Sequence, residues 1–291
     1  MAYVWTEAGA LSYTRALATS HYENFNVVSF LLPKRLHQDF YNVYSYCRWA
    51  DDLADEMGNS AESLRLLEWW RGELDAMYEG GGISHPVFVA LRPTVTRYGI
   101  PKDPFAHLID AFVQDQSVTR YQTWEGLFGY CRNSANPVGR LVLYLCGYSD
   151  EARQRLSDAT CTALQLANFW QDVTVDLEKD RIYLPLELLE KHGSSFDDVL
   201  QRRFTPQFRA AMREAVERAR DLFTEGLPLA GMVDARLSVD LELFSRGGLQ
   251  VLRKIERMEY NVLAARPKIS KAERVGLLIG TLLRFALKRA A

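Results

Sequence analysis

Helical periodicity dominates this chain, and it restricts the fold more than any other feature. In the clearest run, apolar residues recur every three or four positions: Leu156, Ala159, Ala163, Leu166, Trp170, Val173 and Leu177. That spacing places them along one face of a helix. Gly and Pro cluster at the breaks between such runs, and no stretch has the two-residue alternation of a strand. The sequence therefore predicts an all-α fold of about ten to twelve helices.

Local signals place some of the helix ends. Asn59, followed three residues later by Glu62, is typical of a capped helix start. Asp103, shortly after Pro101, predicts the start of a further helix that runs through Phe112. No repeat and no long linker divides the chain, and 48% of its 291 residues are hydrophobic. We therefore expect one domain over residues 1–291.

Charge and cysteine content exclude several classes of protein. The net charge is −2, which argues against nucleic acid as the main partner. Cys47, Cys131, Cys146 and Cys161 form no C-x-x-C pair and follow no secretory signal, so free thiols in the cytoplasm are expected.

The most apolar segment, 275–283, is too short to span a membrane and is followed by Arg284. It fits either a core helix with a basic end or a peripheral contact with the anionic inner membrane.

Two aspartate-rich stretches lie far apart on predicted helices. In the first, Tyr44, Arg48, Asp51 and Asp55 fall within an arc of roughly 60°. In the second, a similar arc of roughly 80° contains these residues: Gln165, Asn168, Asp172 and Asp176. If the clusters face each other, their charges repel unless a cation lies between them, and Mg²⁺ is commonly shared with phosphate oxygens. The alternative is two solvated acidic faces on unrelated helices.

The residues 44–55, Tyr-Ser-Tyr-Cys-Arg-Trp-Ala-Asp-Asp-Leu-Ala-Asp, resemble the first aspartate motif of the squalene/phytoene synthase family. Residues 168–176 resemble its second motif, 181–185 the arm that follows, and 25–33 its N-terminal entry. The resemblance covers nearly the whole chain. It implies an all-α isoprenoid-synthase fold with a central cavity, Mg²⁺ and an isoprenyl diphosphate substrate.

The resemblance also implies roles for individual residues. Five would bind Mg²⁺, with Asp52 beside them: Asp51, Asp55, Asn168, Asp172 and Asp176. Four would contact diphosphate or order the lid of the site: Arg48, Gln165, Arg181 and Tyr183. Phe25 and Tyr44 would line the upper cavity. Metal and arginine would neutralise the departing diphosphate, which permits ionisation to a carbocation.

Residues 130–140 depart from the pattern of relatives that condense two diphosphates. Arg132 replaces a tyrosine thought to assist cyclopropane formation, Asn136-Pro137 replaces Gly-Thr, and Arg140 replaces Glu. Arginine stays protonated and cannot act as that acid or base. A further departure is Gly247-Gly248, near another tyrosine of the relatives.

These changes resemble the hydroxysqualene synthase branch of bacterial hopanoid pathways. That branch implies conversion of presqualene diphosphate and water to hydroxysqualene and diphosphate, without NADPH, between an upstream presqualene diphosphate synthase and a downstream reductase. Arg132, Asn133 and Asn136 are the candidates for placing the water; the asparagines alternatively cap helix ends around Pro137.

Two other functions stay open. The chain could condense two prenyl diphosphates, as presqualene diphosphate, squalene or phytoene synthases do. It could instead be a non-catalytic assembly factor of the same fold, although both motifs keep every carboxylate.

Overall fold

A computed structural model describes residues 5–20 and 32–290, with side chains through residue 285. Thirteen α-helices lie in this part of the chain: α1 Glu7–Ser20, α2 His37–Asp55, α3 Ser60–Glu79, α4 Pro86–Tyr98, α5 Asp103–Gln114, α6 Trp124–Ser134, α7 Asn136–Leu145, α8 Glu151–Asp176, α9 Leu186–Lys191, α10 Phe196–Leu200, α11 Pro206–Gly226, α12 Ala235–Arg257 and α13 Lys271–Ala290. Three 3₁₀ turns join them at Lys34–Leu36, Leu177–Lys179 and Leu227–Gly231. The all-α prediction is confirmed, with slightly more helices than expected because α9 and α10 are too short to show periodicity.

Both predicted helix starts are found. The Asn59 side chain accepts a hydrogen bond from the Glu62 backbone N–H at 2.8 Å, which caps α3. Helix α5 begins at Asp103. In the described residues, the extended structure is limited to an isolated parallel bridge between Arg120 and Ile182.

The chain divides into two compact units, residues 1–117 with 137–154 and residues 118–136 with 155–291. In the first unit, α2 is the central helix: it packs against α1, α3, α4 and α5. Tyr46 of α2 is fully buried, and its ring lies 4.9 Å from that of Phe105. The Tyr46 hydroxyl donates to the Phe105 carbonyl at 2.9 Å, so the one polar atom of this ring is satisfied inside the core.

In the second unit, the middle of the apolar face predicted for α8 is buried, whereas Leu156 and Leu177 at its two ends are partly buried. Trp170 is fully buried, and its indole N–H donates to the Ala215 carbonyl of α11 at 3.1 Å. Helix α11 in turn packs on α9 and α12, and α12 packs on α13. None of the described helices is long and apolar enough to cross a bilayer.

Candidate active site

The first aspartate motif occupies the last three turns of α2, and one arginine pairs with several of its carboxylates. Arg48 Nη2 lies 2.5 Å from an Asp52 carboxylate oxygen and 3.3 Å from Glu56, and Arg48 Nη1 lies 3.5 Å from Asp51. The Asp51 side chain is 48% exposed, so its carboxylate is accessible to a ligand. Asp55, the last residue of the helix, is also exposed.

Tyr44 lies one turn before Arg48 and is partly buried. Its burial raises the pKa of its phenol above the usual range, an effect that Arg48 partly offsets. The neutral hydroxyl therefore remains a hydrogen-bond donor beside the carboxylates. The predicted stripe of Tyr44, Arg48, Asp51 and Asp55 is thus present on one helix surface.

Aromatic packing fixes the opposite side of this part of α2. The Trp49 indole N–H donates to the Tyr13 hydroxyl at 2.8 Å. The His85 ring lies edge-on to Trp49 with centroids 4.6 Å apart, and its Nδ1 accepts from the Val87 backbone N–H at 3.3 Å. Burial lowers the pKa of His85 to about 4. A neutral imidazole is therefore part of the support behind the first motif.

The second motif ends α8, and its first aspartate is held by a distant arginine. Arg266 donates through both Nε and Nη2 to the two carboxylate oxygens of Asp172, the latter at 3.0 Å. Asp172 is only 13% exposed, whereas Arg266 is 42% exposed. Next to this pair, the Gln171 side chain donates to the Pro267 carbonyl at 2.6 Å. These bonds tie the segment between α12 and α13 to the aspartate end of α8.

Asp176, one turn further on, has a carboxylate oxygen that lacks a hydrogen-bond donor among the described residues. This oxygen, Oδ2, is buried. Burial raises the pKa of Asp176 to about 7, repulsion from Asp172 adds to this, and Arg181 opposes it. A buried carboxylate oxygen without a donor is costly unless a cation or proton satisfies it. The site therefore fits a hard divalent cation, which takes carboxylate oxygens as ligands.

The arm after α8 folds back beside Asp176. Asp180 adopts the left-handed conformation at φ 53°, and the Arg181 backbone N–H donates to the Asp176 carbonyl at 2.9 Å. Tyr183 is buried and stacks on Phe169, with centroids 3.7 Å apart. A small cleft remains here, and it is lined by Phe169, Val173, Asp176, Arg181, Ile182, Tyr183 and Leu184. The structure thus brings Asp176, Arg181 and Tyr183 together at one cleft.

The other predicted residues of α8 lie along the same helix. Asn168 is exposed and Gln165 is partly buried. In the described part of the chain, no three His, Cys, Asp or Glu side chains form a cluster able to hold a metal ion. A cation at either motif would therefore need ligands from outside the carboxylates, such as diphosphate oxygens and water.

The candidates for placing water have different environments. Arg132 is 56% exposed and pairs with Glu125, which lies two helical turns earlier on α6, at 2.7 Å. Asn133 is partly buried. Asn136 is buried, and its side-chain oxygen accepts from the Thr162 hydroxyl of α8 at 2.9 Å. Phe25 lies outside the described residues.

The sequence did not reveal two arginines that shape this region. Arg266 stands 94 residues from Asp172 in a segment without helical periodicity. Arg120 donates to the carbonyl and carboxylate of Asp180 and so fixes the turn before the arm. Nothing in the local sequence marks either residue as a partner of the second motif.

The all-helical architecture is that of the isoprenoid synthase fold. A model of the squalene/phytoene synthase family matches residues 18–273. The crystal structure of squalene synthase HpnC from Alicyclobacillus acidocaldarius is similar with a TM-score of 0.84 and 44% identity, covering 88% of this chain and 96% of that one.

Two relatives found by sequence also belong to this family. A phytoene synthase of Thermus thermophilus is 33% identical over 260 residues, 89% of this chain and 88% of the relative. A hydroxysqualene synthase of Zymomonas mobilis is 32% identical over 263 residues, 88% and 85% of the two chains. This chain belongs to the squalene/phytoene synthase family and is an enzyme that acts on prenyl diphosphates.

Proposed function

We propose that this enzyme converts presqualene diphosphate and water to hydroxysqualene and diphosphate. The observation that carries the proposal is Arg132. At the corresponding position, relatives that condense two diphosphates have a tyrosine. A permanently charged guanidinium cannot exchange the proton that cyclopropane formation requires. The second half of the squalene reaction, which starts from the cyclopropane, does not need that step.

Ionisation breaks the bond between carbon and the diphosphate oxygen, and the electron pair leaves with the diphosphate. We assign Asp51, Asp55, Asn168, Asp172 and Asp176 as the residues that would hold Mg²⁺, with Asp52 beside them. Bound there, Mg²⁺ would supply Lewis-acid stabilisation of the leaving group. Arg48, Gln165 and Arg181 would donate hydrogen bonds to diphosphate oxygens. The orphaned Oδ2 of Asp176 supports the cation assignment.

The resulting cyclopropylcarbinyl cation rearranges, and water forms the new carbon–oxygen bond while losing a proton. No hydride enters, so we expect no NADPH. Of the three polar candidates, Asn136 is buried and faces Thr162, whereas Arg132 is exposed and paired with Glu125. We therefore propose Asn136 as the first candidate for holding the water. Arg132 remains the residue that distinguishes this enzyme from the condensing relatives.

The glycine pair in α12 gives further support. A Cβ placed on Gly248 would lie 2.2 Å from the Phe223 ring, so this position excludes any side chain. A Cβ on Gly247 would meet nothing within 4 Å. Relatives carry a tyrosine near this pair, whereas this enzyme has glycine at both positions and therefore no phenol from either.

Condensation of two prenyl diphosphates is the second candidate. The 33% identity to the Thermus phytoene synthase supports it as much as the 32% identity to the Zymomonas hydroxysqualene synthase supports the first. The two candidates share the aspartate motifs and differ in their first substrate. The hydroxysqualene function also requires an upstream enzyme that supplies presqualene diphosphate and a downstream reductase that removes the hydroxyl.

The deciding experiment incubates the purified enzyme and Mg²⁺ with farnesyl, geranylgeranyl or presqualene diphosphate, each without NADPH, and identifies the products by mass. We expect hydroxysqualene from presqualene diphosphate and no consumption of the two linear diphosphates. Consumption of a linear diphosphate would instead establish a condensing synthase. An Asn136→Ala variant that converts presqualene diphosphate at the normal rate to the normal product would remove Asn136 from the water site.

A further inference from the structure

Arg120 makes two contacts to a single residue of the arm that follows α8. Its Nη1 donates to the Asp180 carbonyl, and its Nη2 donates to the Asp180 carboxylate. Nη1 also donates to the carbonyl of Thr119 at 2.9 Å. The Arg120 side chain is 21% exposed, whereas that of Asp180 is 77% exposed. The planar guanidinium therefore holds both the backbone and the side chain of Asp180 in place.

The backbone conformation of Asp180 explains why these contacts matter. Its φ of 53° and ψ of 37° lie in the left-handed region, which favours glycine and costs energy for other residues. Aspartate is tolerated there when its short polar side chain is hydrogen-bonded. At Asp180 the donor is Arg120, which lies 60 residues away in sequence. The turn is therefore stabilised by a tertiary contact.

Arg181 directly follows this turn and lies between two fixed points. Its backbone N–H donates to the Asp176 carbonyl at 2.9 Å. The next backbone N–H, that of Ile182, donates to the Thr119 carbonyl at 2.9 Å. Arg181 and Asp176 line the same small cleft. A change in the turn at Asp180 would therefore shift Arg181 relative to the carboxylate of Asp176.

We infer that Arg120 is a positioning residue for diphosphate binding: it holds the turn at Asp180, and the turn places Arg181 where it donates to diphosphate oxygens. The Arg120 guanidinium acts at a distance from the ligand, because it is already bonded to Asp180 and Thr119. The inference rests on the role of Arg181 in the proposed function, but it does not depend on which prenyl diphosphate the enzyme uses.

The test is a double-mutant cycle on the full chain with Arg120→Gln, Arg181→Gln and the double variant. Calorimetric titration with inorganic diphosphate in the presence of Mg²⁺ measures binding without turnover. Each single variant should bind diphosphate about tenfold more weakly, as expected for loss of a hydrogen bond to a charged group. The double variant should bind no more weakly than Arg181→Gln, because Arg120 then has no side chain to position.

Three results would overturn the inference. Normal binding by Arg120→Gln would show that the turn does not affect the ligand. Additive losses, about a hundredfold in the double variant, would show that Arg120 acts independently of Arg181. Normal binding by Arg181→Gln would remove the residue through which Arg120 acts, and would also contradict its role in the proposed function. Conversely, the expected cycle in an enzyme that does not convert presqualene diphosphate would support the inference and contradict the proposed function.

Arg71→Gln is the matched control for loss of an ion pair. Arg71 is 26% exposed and pairs with Asp110, which is 45% exposed, at 2.6 Å in the other compact unit. Its variant should bind diphosphate like the parent; a loss equal to that of Arg120→Gln would attribute the effect to general destabilisation and overturn the inference. Circular dichroism and urea unfolding report the folding of each variant.

Substitutions of Asp180 test the turn itself. Asp180→Asn keeps a hydrogen-bond acceptor and tolerates the left-handed conformation, so its diphosphate binding should stay close to that of the parent. Asp180→Val has no acceptor and is β-branched, so it should lose binding as Arg120→Gln does, and it replaces Arg120→Gln in the cycle if that variant does not fold. Equal binding by the Asn and Val variants would contradict a role for the turn.

Discussion

The two aspartate motifs sit on the same kind of element, the end of a long helix, but their charges are balanced differently. At the end of α2, Arg48 pairs with Asp51, Asp52 and Glu56 from within the motif. At the end of α8, Asp172 depends on Arg266 from a distant segment, and Asp176 has a buried oxygen without a partner. The first motif therefore keeps a net negative charge on carboxylates that are largely exposed to water, whereas the second motif buries a carboxylate oxygen without a hydrogen-bond partner among the described residues.

The difference indicates what each motif contributes. Exposed carboxylates beside an arginine of the same helix can stay accessible to a ligand with little loss of stability, because surface ion pairs contribute little to the free energy of unfolding. A buried carboxylate with a raised pKa lowers stability in exchange for cation affinity, which is typical of functional sites. We place the stronger demand for Mg²⁺ at Asp172 and Asp176.

The largest effect is expected on turnover. Asp172→Ala and Asp51→Ala should each lower it by about 10³-fold or more, because each removes a carboxylate that would hold the Mg²⁺ needed to neutralise the leaving group. Both should stay folded, since Asp51 is exposed and Arg266, the partner of Asp172, can be solvated. Rates on presqualene diphosphate and on farnesyl diphosphate measure the effect, with the exposed Asp221→Ala of α11 as the control. Near-normal turnover by both folded variants would contradict the metal assignment.

Acid should weaken the support behind the first motif. His85 has a pKa of about 4 in the folded state against 6.5 for a free imidazole. Since the unfolded state binds the proton more readily, this contribution is complete above pH 6.5 and is lost as the pH falls toward 4. The loss is at most about 3 kcal/mol. Urea unfolding at pH 7 and pH 5 measures it. His85→Asn keeps a helix-capping acceptor but does not titrate, so an equal acid loss in that variant would exclude His85 as the cause.

Neutralising the second motif should stabilise the protein without metal. Asp176→Asn replaces a buried, unpartnered carboxylate by an amide, so we expect a gain of about 1–2 kcal/mol in the free energy of unfolding. The same variant should lose the thermal shift that Mg²⁺ with inorganic diphosphate gives the parent, because ligand binding stabilises only the folded state that binds it. Asp55→Asn is the paired variant at the first motif, where Asp55 is exposed and no such gain is expected. A destabilised Asp176→Asn protein would mean that the carboxylate is satisfied in solution.

Local sequence patterns were enough to predict both motif helices, the α3 cap at Asn59 and the start of α5, because periodicity and capping act over a few residues. The family resemblance indicated which carboxylates belong to the candidate site. The partner of Asp172 could not be predicted, because Arg266 reaches it only through the tertiary packing of α12 and α13. The burial of Asp176 and the exposure of Arg132 also depend on neighbours far away in sequence. The roles of the metal ligands, of Phe25 and of the water-placing residues stay predictions.

The smallest expected effect is on Mg²⁺ affinity, and it should differ between substitutions of Arg266 and of Arg48. Because the Arg266 guanidinium occupies both oxygens of Asp172, a cation that binds Asp172 must displace it. Arg266→Gln should therefore tighten binding of Mg²⁺ alone by a few fold, about 1 kcal/mol or less, as expected for removal of a half-exposed ion pair. Arg48→Gln should change Mg²⁺ affinity less, because Asp51 is already accessible and Arg48 lies 3.5 Å from it. Calorimetric titration with Mg²⁺ and no diphosphate measures both. Weaker binding in Arg266→Gln would show that Arg266 orients Asp172 for the cation, and the contrast between the two motifs would then rest on the buried Oδ2 of Asp176 alone.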